Sequence, residues 1–274
     1  MNPKINTFLQ LSAVAAALAL TSCGRSDSAK APEPAKPEPA KPVAAEPAAP
    51  GNPAPAFSKE GQADPASPPK GYSEADLVEI TPEYPKPLFS SAPVATSNIA
   101  NLEKADPEAE KRRLTFKLPK GTQNVALRKK VTSSDPLPII GSLNLITDGD
   151  MEGSKGSYVE LASGKQWVQI DLGQSYSIWK LLVWHSFQDS PVYLSVVVQI
   201  SDDRDFKTYT TVYNSDAENA LGFEAGKDKT YVETNHGRLI DANGTTGRYV
   251  RLWSKGNSAD DVNRYVEVQV YGSK

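Results

Sequence analysis

Cysteine is almost missing from this sequence: Cys23 is the only one among 274 residues. No intramolecular disulfide can form and no cysteine-based zinc site exists, so any folded part stands on its core alone. Histidine is nearly as scarce, with only His185 and His236. There is no Gly-x-Ser-x-Gly elbow and no His-Glu-x-x-His pair. Catalysis needs a nucleophile, acid, base or metal gathered in a pocket, and a non-enzymatic role is the expectation. Asp202, Asp203 and Asp205 follow a strand and read as a solvated acidic turn, not a glycosidase pair. Long basic runs are missing too: from Thr122 to Lys274 there are 16 Lys and Arg against 19 Asp and Glu, a balance of 16 − 19 = −3. Nucleic acid, whose binding draws on clustered cations, is excluded as a partner on that ground.

What is present is unevenly spread. Of 22 prolines, 12 lie between Pro32 and Pro69, while all four tryptophans lie beyond residue 160. One domain at the C-terminal end is the economical reading. Residues 1–22 carry a short basic start at Lys4 and an apolar run of thirteen residues, Phe8 to Leu20. That is too short to span a bilayer and reads as an export signal. Leu20-Thr21-Ser22-Cys23 resembles the bacterial lipobox, which makes Cys23 the expected lipidation site and the chain a membrane-anchored lipoprotein. The residue after it is Gly24 rather than Asp, which points to the outer membrane of the cell envelope, facing periplasm or cell surface.

From Cys23 to residue 70 the chain is a low-complexity linker. Its Ala-Pro, Glu-Pro and Lys-Pro pairs, with six basic against six acidic residues from Arg25 to Lys70, cannot build a core. Polyproline spacing of ~3.1 Å per residue would make it a semi-stiff tether on the order of 100 Å long. Residues 71–121 are richer in aromatic and apolar side chains and read as an extended arm lying on the folded domain. Asp106-Pro107-Glu108 marks the start of one short helix, with Asp as cap and Pro at the first helical position.

Residues 122–274 are an all-β domain. Gln166 to Gly173 alternates Val168, Ile170 and Leu172 with Trp167, Gln169 and Asp171, and Gly173 is expected to end that strand. Ile178 to His185, Val192 to Ser201, Arg248 to Ser254 and Arg264 to Tyr271 repeat the pattern. In the last, Val266, Val268 and Val270 share one face. Arg251 is expected to make a structural ion pair, and the Trp167 strand to be architecture.

Six motifs in order carry a resemblance: Asn124-Val125-Ala126-Leu127 with Val131-Thr132-Ser133-Ser134, Ile146-Thr147-Asp148-Gly149-Asp150, Trp167 to Gly173, Val198 to Asp203, Gly247 to Leu252, and Val266 to Gly272. Together they resemble the discoidin, or coagulation factor type C, domain, whose bacterial relatives include family 32 carbohydrate-binding modules. The resemblance implies a jelly-roll-like β-sandwich, galactose-binding-domain-like, and non-catalytic binding of carbohydrate. The alternative is a structural or protein-interaction lipoprotein holding a cell-envelope protein, since a fold alone does not choose a ligand. By position, a structural calcium ion would be held by Asp148 and Glu267 through side chains, and by Leu145, Asp150, Ser154 and Val266 through other oxygens. The loop from Asp150 to Gly156 departs from the family pattern and could equally be a simple acidic turn. For the sugar, the candidates are His185, Gln188 and Asp189 before Val192, and Asn257, Asn263 and Arg264 before the last strand. For His185, a hydrogen-bonded packing role competes with that reading.

Overall fold

The computed structural model describes residues 64–89, 95–154 and 156–274; the export segment, Cys23 and most of the proline-rich linker lie outside the described residues. The described residues among 64–121 lie on the domain. After a 3-10 turn at Glu74–Asp76, β1 (Leu77–Ile80) pairs antiparallel with β2 (Phe116–Pro119), from Leu77 opposite Pro119 to Ile80 opposite Phe116. Between them lies α1 (Pro107–Arg112), whose Asp106 cap accepts from the main-chain N–H groups of Glu108 and Ala109. This two-stranded ladder comes in addition to the helix read from the sequence.

The sandwich is antiparallel throughout. Its strands are β3 (Gln123–Asn124), β4 (Lys130–Ser133), β5 (Val159–Leu161), β6 (Lys165–His185), β7 (Val197–Ser201), β8 (Thr210–Asn214), β9 (Arg238–Lys255) and β10 (Asn263–Ser273). They run in the order β3-β10-β6-β9-β7-β8, with β4 also on β6 and β5 on β10. β6 and β9 are long enough to serve both layers. Their Lys165–Asp171 and Tyr249–Lys255 segments pair with each other and with β4 and β7; Tyr176–Val183 and Arg238–Gly247 pair again, beside β10.

Gly173 therefore bends a strand and does not end it. The ladder with β9 skips from Asp171 to Tyr176, and Gly173 takes φ +87, a conformation open to glycine at little cost. Likewise β9 starts at Arg238, well before the expected Arg248, and Val192 to Val196 is not part of the β7 ladder because Ser195 sits at φ +53.

Val168, Ile170, Leu172, Val198, Ile200, Val250, Leu252, Val268 and Val270 fill the space between the layers. A bulge in β10 between Tyr265 and Glu267 corrects the expected valine face: Tyr265 joins Val268 and Val270 in this core, and Val266 turns to the other side. There a second apolar cluster forms outside the sandwich, where Leu182, Trp184, Leu239, Val266 and Tyr271 are covered by Phe116 and Leu118 of the arm. Ile80, Tyr84 and Leu88 pack against its edge. The arm seals a sheet face that would otherwise expose Trp184. Among the described residues no helix is long and apolar enough to cross a membrane.

Candidate functional site

Three of the six residues proposed for a sugar are consumed by the fold. His185 ends β6 with no exposed surface; its Nδ1 lies 2.6 Å from Glu233 Oε1 and its ring stacks on Tyr193 at 4.3 Å. Asn263 is also fully buried: its amide donates to the carbonyls of Ala162 and Gly164 and its Oδ1 accepts from Ser254 Oγ and the Gly256 N–H. Asn257 ties its own loop, donating to Asp260 and the Val262 carbonyl and accepting from the Ala259 and Asp260 N–H groups. A hydroxyl of an incoming sugar would find no spare valence on either asparagine, so these three are corrected to structural residues. Gln188 and Asp189 sit on the loop after β6, exposed and half-buried respectively. Arg264 is held by Glu160 at 2.6 Å and Asp260 at 2.9 Å. The two carboxylates keep its guanidinium charged and raised despite burial.

A different surface has the chemistry that the loops lack. On the outward side of β6, β9 and β7, Trp167 faces Trp253, which faces Val197; one row on, Gln169 faces Arg251, which faces Gln199. The period of two puts these aromatic rings opposite the core residues Val168 and Leu252. Trp167 and Trp253 meet edge to face at 6.4 Å, Phe223 lies 5.0 Å from Trp253, and Tyr209 lies 6.1 Å from Phe223. All four keep part of their surface open. Arg251 fills the middle. Among the described residues it makes no ion pair, contrary to expectation; it donates to Gln169 Oε1 at 2.9 Å and stacks over Trp167 and Phe206 at 4.5 and 4.0 Å. Burial lowers its pKa to about 10, with Asp205 and Asp203 opposing the shift, so it stays charged at neutral pH. The expected ion pair falls on Arg248, which grips Asp171 with two bonds of 2.7 and 2.8 Å.

Polar groups border these rings. Ser134 Oγ donates to Gln166 Oε1 and accepts from the Trp167 N–H. Trp253 Nε1 donates to Gln199 Oε1 at 3.0 Å, while the buried Nε2 of Gln199 has no partner among the described residues. Asp203 accepts from the N–H groups of Asp205 and Lys207, which lower its carboxyl below the ordinary value and form the solvated acidic turn.

The acidic loop after the Leu143–Thr147 turn brings Asp148 and Asp150 towards Glu267 of β10. Asp148 and Asp150 each accept from an N–H two residues on, that of Asp150 and of Glu152. Glu267 is fully buried, takes one weak bond of 3.3 Å from the Gly149 N–H through Oε2, and leaves Oε1 without a partner among the described residues. Burial pushes its carboxyl up to about 9, helped by the charges of Asp148 and Asp150. Among the described residues no three acidic, histidine or cysteine side chains gather tightly enough to hold an ion by themselves. A cation here would lean on main-chain oxygens.

No curated protein matches the chain. Among solved structures, a family 89 glycoside hydrolase from Clostridium perfringens aligns with a TM-score of 0.42 at 20% identity, over 55% of this chain and 14% of that one. A chitosan-binding module from Paenibacillus sp. IK-5 aligns at 0.38 and 23% identity, over 55% and 99% of the two chains. A Streptococcus pneumoniae fucose-binding module aligns at 0.40 and 21%, over 56% and 99%. The F5/8 type C domain model matches residues 130–268. That stretch takes in β4 to most of β10, the aromatic surface and the Glu267 loop, and by it the chain belongs to the F5/8 type C, or discoidin, domain family, a fold of non-catalytic binding modules.

Proposed function

We propose that this discoidin module binds carbohydrate through the aromatic surface of Trp167, Trp253, Phe223 and Tyr209, and that Cys23 anchors it by lipid to the outer membrane. The observation that carries the reading is the contiguity of four part-open rings with side-chain amides and a guanidinium between them. The C–H faces of a pyranose pack on such rings, while Gln166 and Ser134 at their border supply directional bonds that choose among epimers. A glycan array with the mature chain, followed by titration of the best sugar, tests this. Trp167→Ala and Trp253→Ala should each weaken binding at least tenfold, with Gln188→Ala and Arg264→Ala near wild type. The reverse ranking would place the sugar at the loop end and sink the proposal. Incorporation of labelled fatty acid, lost in Cys23→Ala, tests the anchor.

Calcium is the ion the fold family implies, and the residues fit it: Glu267 presents an unpartnered buried oxygen beside Asp148 and Asp150. Asp148 and Glu267 through side chains, with Leu145, Asp150, Ser154 and Val266 through main-chain or hydroxyl oxygen, would hold it. The ion would neutralise the carboxylates and tie the loop to β10. Its role is structural.

An envelope-protein partner is the second reading. Leu137 and Ile139, 84% and 60% exposed between two prolines and the 3-10 turn, favour it. Silence on a broad array from folded protein would turn the search there.

A further inference from the structure

The arm does more than seal a sheet face. Between the arm and β9 lies a cavity of about 430 Å³, within the size range of small-molecule sites. Its floor is apolar, with Leu102 and Leu114 of the arm opposite Leu182 and Leu239 of the sandwich. Two guanidiniums line it, Arg113 from the end of α1 and Arg238 from the start of β9. A single carboxylate, Glu103, serves both: Oε1 takes Arg113 Nη2 at 2.7 Å and Oε2 takes Arg238 Nη1. Burial works to raise Glu103, but the two arginines outweigh it and hold the carboxyl below its ordinary value.

Around that one carboxylate the two guanidiniums make a local excess of positive charge, although Lys104, Asp106 and Glu110 also line the wall. Arg238 rests its face on Tyr231 at 4.7 Å and Tyr213 at 5.6 Å, which offsets part of it. The hydrogen bonds do not close, however. Nε of Arg238, in a residue more than nine-tenths buried, and Nε of Arg113 both lack a partner among the described residues. The other carboxylates of the wall are committed: Asp106 caps α1, and Glu110 Oε1 lies 2.8 Å from His236 Nδ1. Those two Nε atoms carry almost no accessible surface, so what the cavity offers an anion is the rest of the part-open Arg113 guanidinium, 24% exposed, beside Arg238, with an apolar body beyond it.

We propose that this cavity binds a small organic carboxylate, its anionic head at Arg113 and Arg238 and its hydrocarbon against Leu102, Leu114, Leu182 and Leu239. The site depends on the arm and is independent of the sugar surface.

Calorimetric titration of the mature chain with sodium octanoate, octanamide and acetate tests it. Octanoate should bind saturably at a stoichiometry of one and raise the melting temperature. Octanamide, which lacks the charge, and acetate, which lacks the body, should each bind at least tenfold more weakly. Arg113→Gln should weaken octanoate at least tenfold, and Glu103→Gln, which frees guanidinium valence, should strengthen it severalfold; far-UV circular dichroism confirms that each variant is folded. Equal binding of octanamide and octanoate would reduce the site to an apolar void. No saturable octanoate binding by folded wild type would overturn the proposal outright.

Discussion

Truncating Phe116 asks whether the arm belongs to the fold or merely rests on it. Phe116 is 1% exposed, meets Tyr271 edge to face at 5.4 Å and covers Leu182, Trp184 and Leu239. Phe→Ala in a packed core costs ~3–5 kcal/mol from lost transfer energy and the cavity left behind. Against a typical total of ~5–15 kcal/mol, that is a large fraction. The loss has a ceiling, because once it exceeds the docking energy the arm lifts off and the sandwich remains. Urea unfolding followed by tryptophan emission reads the first quantity, and amide exchange across Phe116–Pro119 and Leu182–Trp184 reads the second. The expected result for Phe116→Ala is a lowered midpoint, faster exchange in β2 than in β7, and red-shifted emission as Trp184 meets water. Leu118→Ala, at a fully buried position, should repeat the pattern at ~2–5 kcal/mol. Unfolding free energies within about 0.5 kcal/mol of wild type for both variants, with unchanged exchange, would refute the second core.

Three further outcomes are expected. Asn263→Ala orphans the carbonyls of Ala162 and Gly164, the Gly256 N–H and a Ser254 contact; at ~1–3 kcal/mol per unsatisfied buried group it should lower stability by several kcal/mol while leaving sugar affinity unchanged, as unfolding and titration in parallel will show. Lys180 is 1% exposed, and burial lowers its ammonium pKa although Asp241 at 3.1 Å opposes the shift. The unfolded chain therefore binds this proton more tightly, so the group's contribution to stability is least at low pH and rises as pH climbs through the folded pKa towards 10.5. Lys180→Met should remove that rise at little cost at neutral pH, since the half-buried Asp241 keeps solvent; equal alkaline slopes in wild type and variant would contradict it. Calcium should raise the melting temperature of the wild type at neutral pH and leave Glu267→Gln unmoved, and a wild-type melt indifferent to both calcium and chelator would remove the ion from the account.

Much of the sandwich was legible from period two alone. Val168, Ile170 and Leu172 announce β6, and Val268 and Val270 announce β10, because a half-buried strand must alternate. Bulges were not legible. The shift between Tyr265 and Glu267 changes which neighbours Val266 meets, and nothing local to that valine-rich run says where the extra residue falls. The loop candidates failed for a related reason: Asn257 and Asn263 look like sugar ligands, and the same amide valences staple tight turns. Whether an asparagine is spent or spare depends on carbonyls as distant in sequence as Ala162. Trp167 and Trp253 were within reach, since their parity opposes the core, but their pairing with Phe223 and Tyr209 needs the register of three strands. The cavity joins Arg113 to Arg238 across more than a hundred residues, and no spacing rule connects them.

The arm also decides how the module would answer a pull from its N-terminal side. Leu77 opens β1 opposite Pro119 at the end of β2, so tension entering at Leu77 and held at Pro119 acts on the same end of the ladder. Such a pair unzips one bond at a time instead of shearing all at once, and it gives way at low force. The ladder is a mechanical fuse: under such a pull β1 would peel away before the sandwich strands are loaded, while Phe116 and Leu118 keep Trp184 covered until β2 itself lifts.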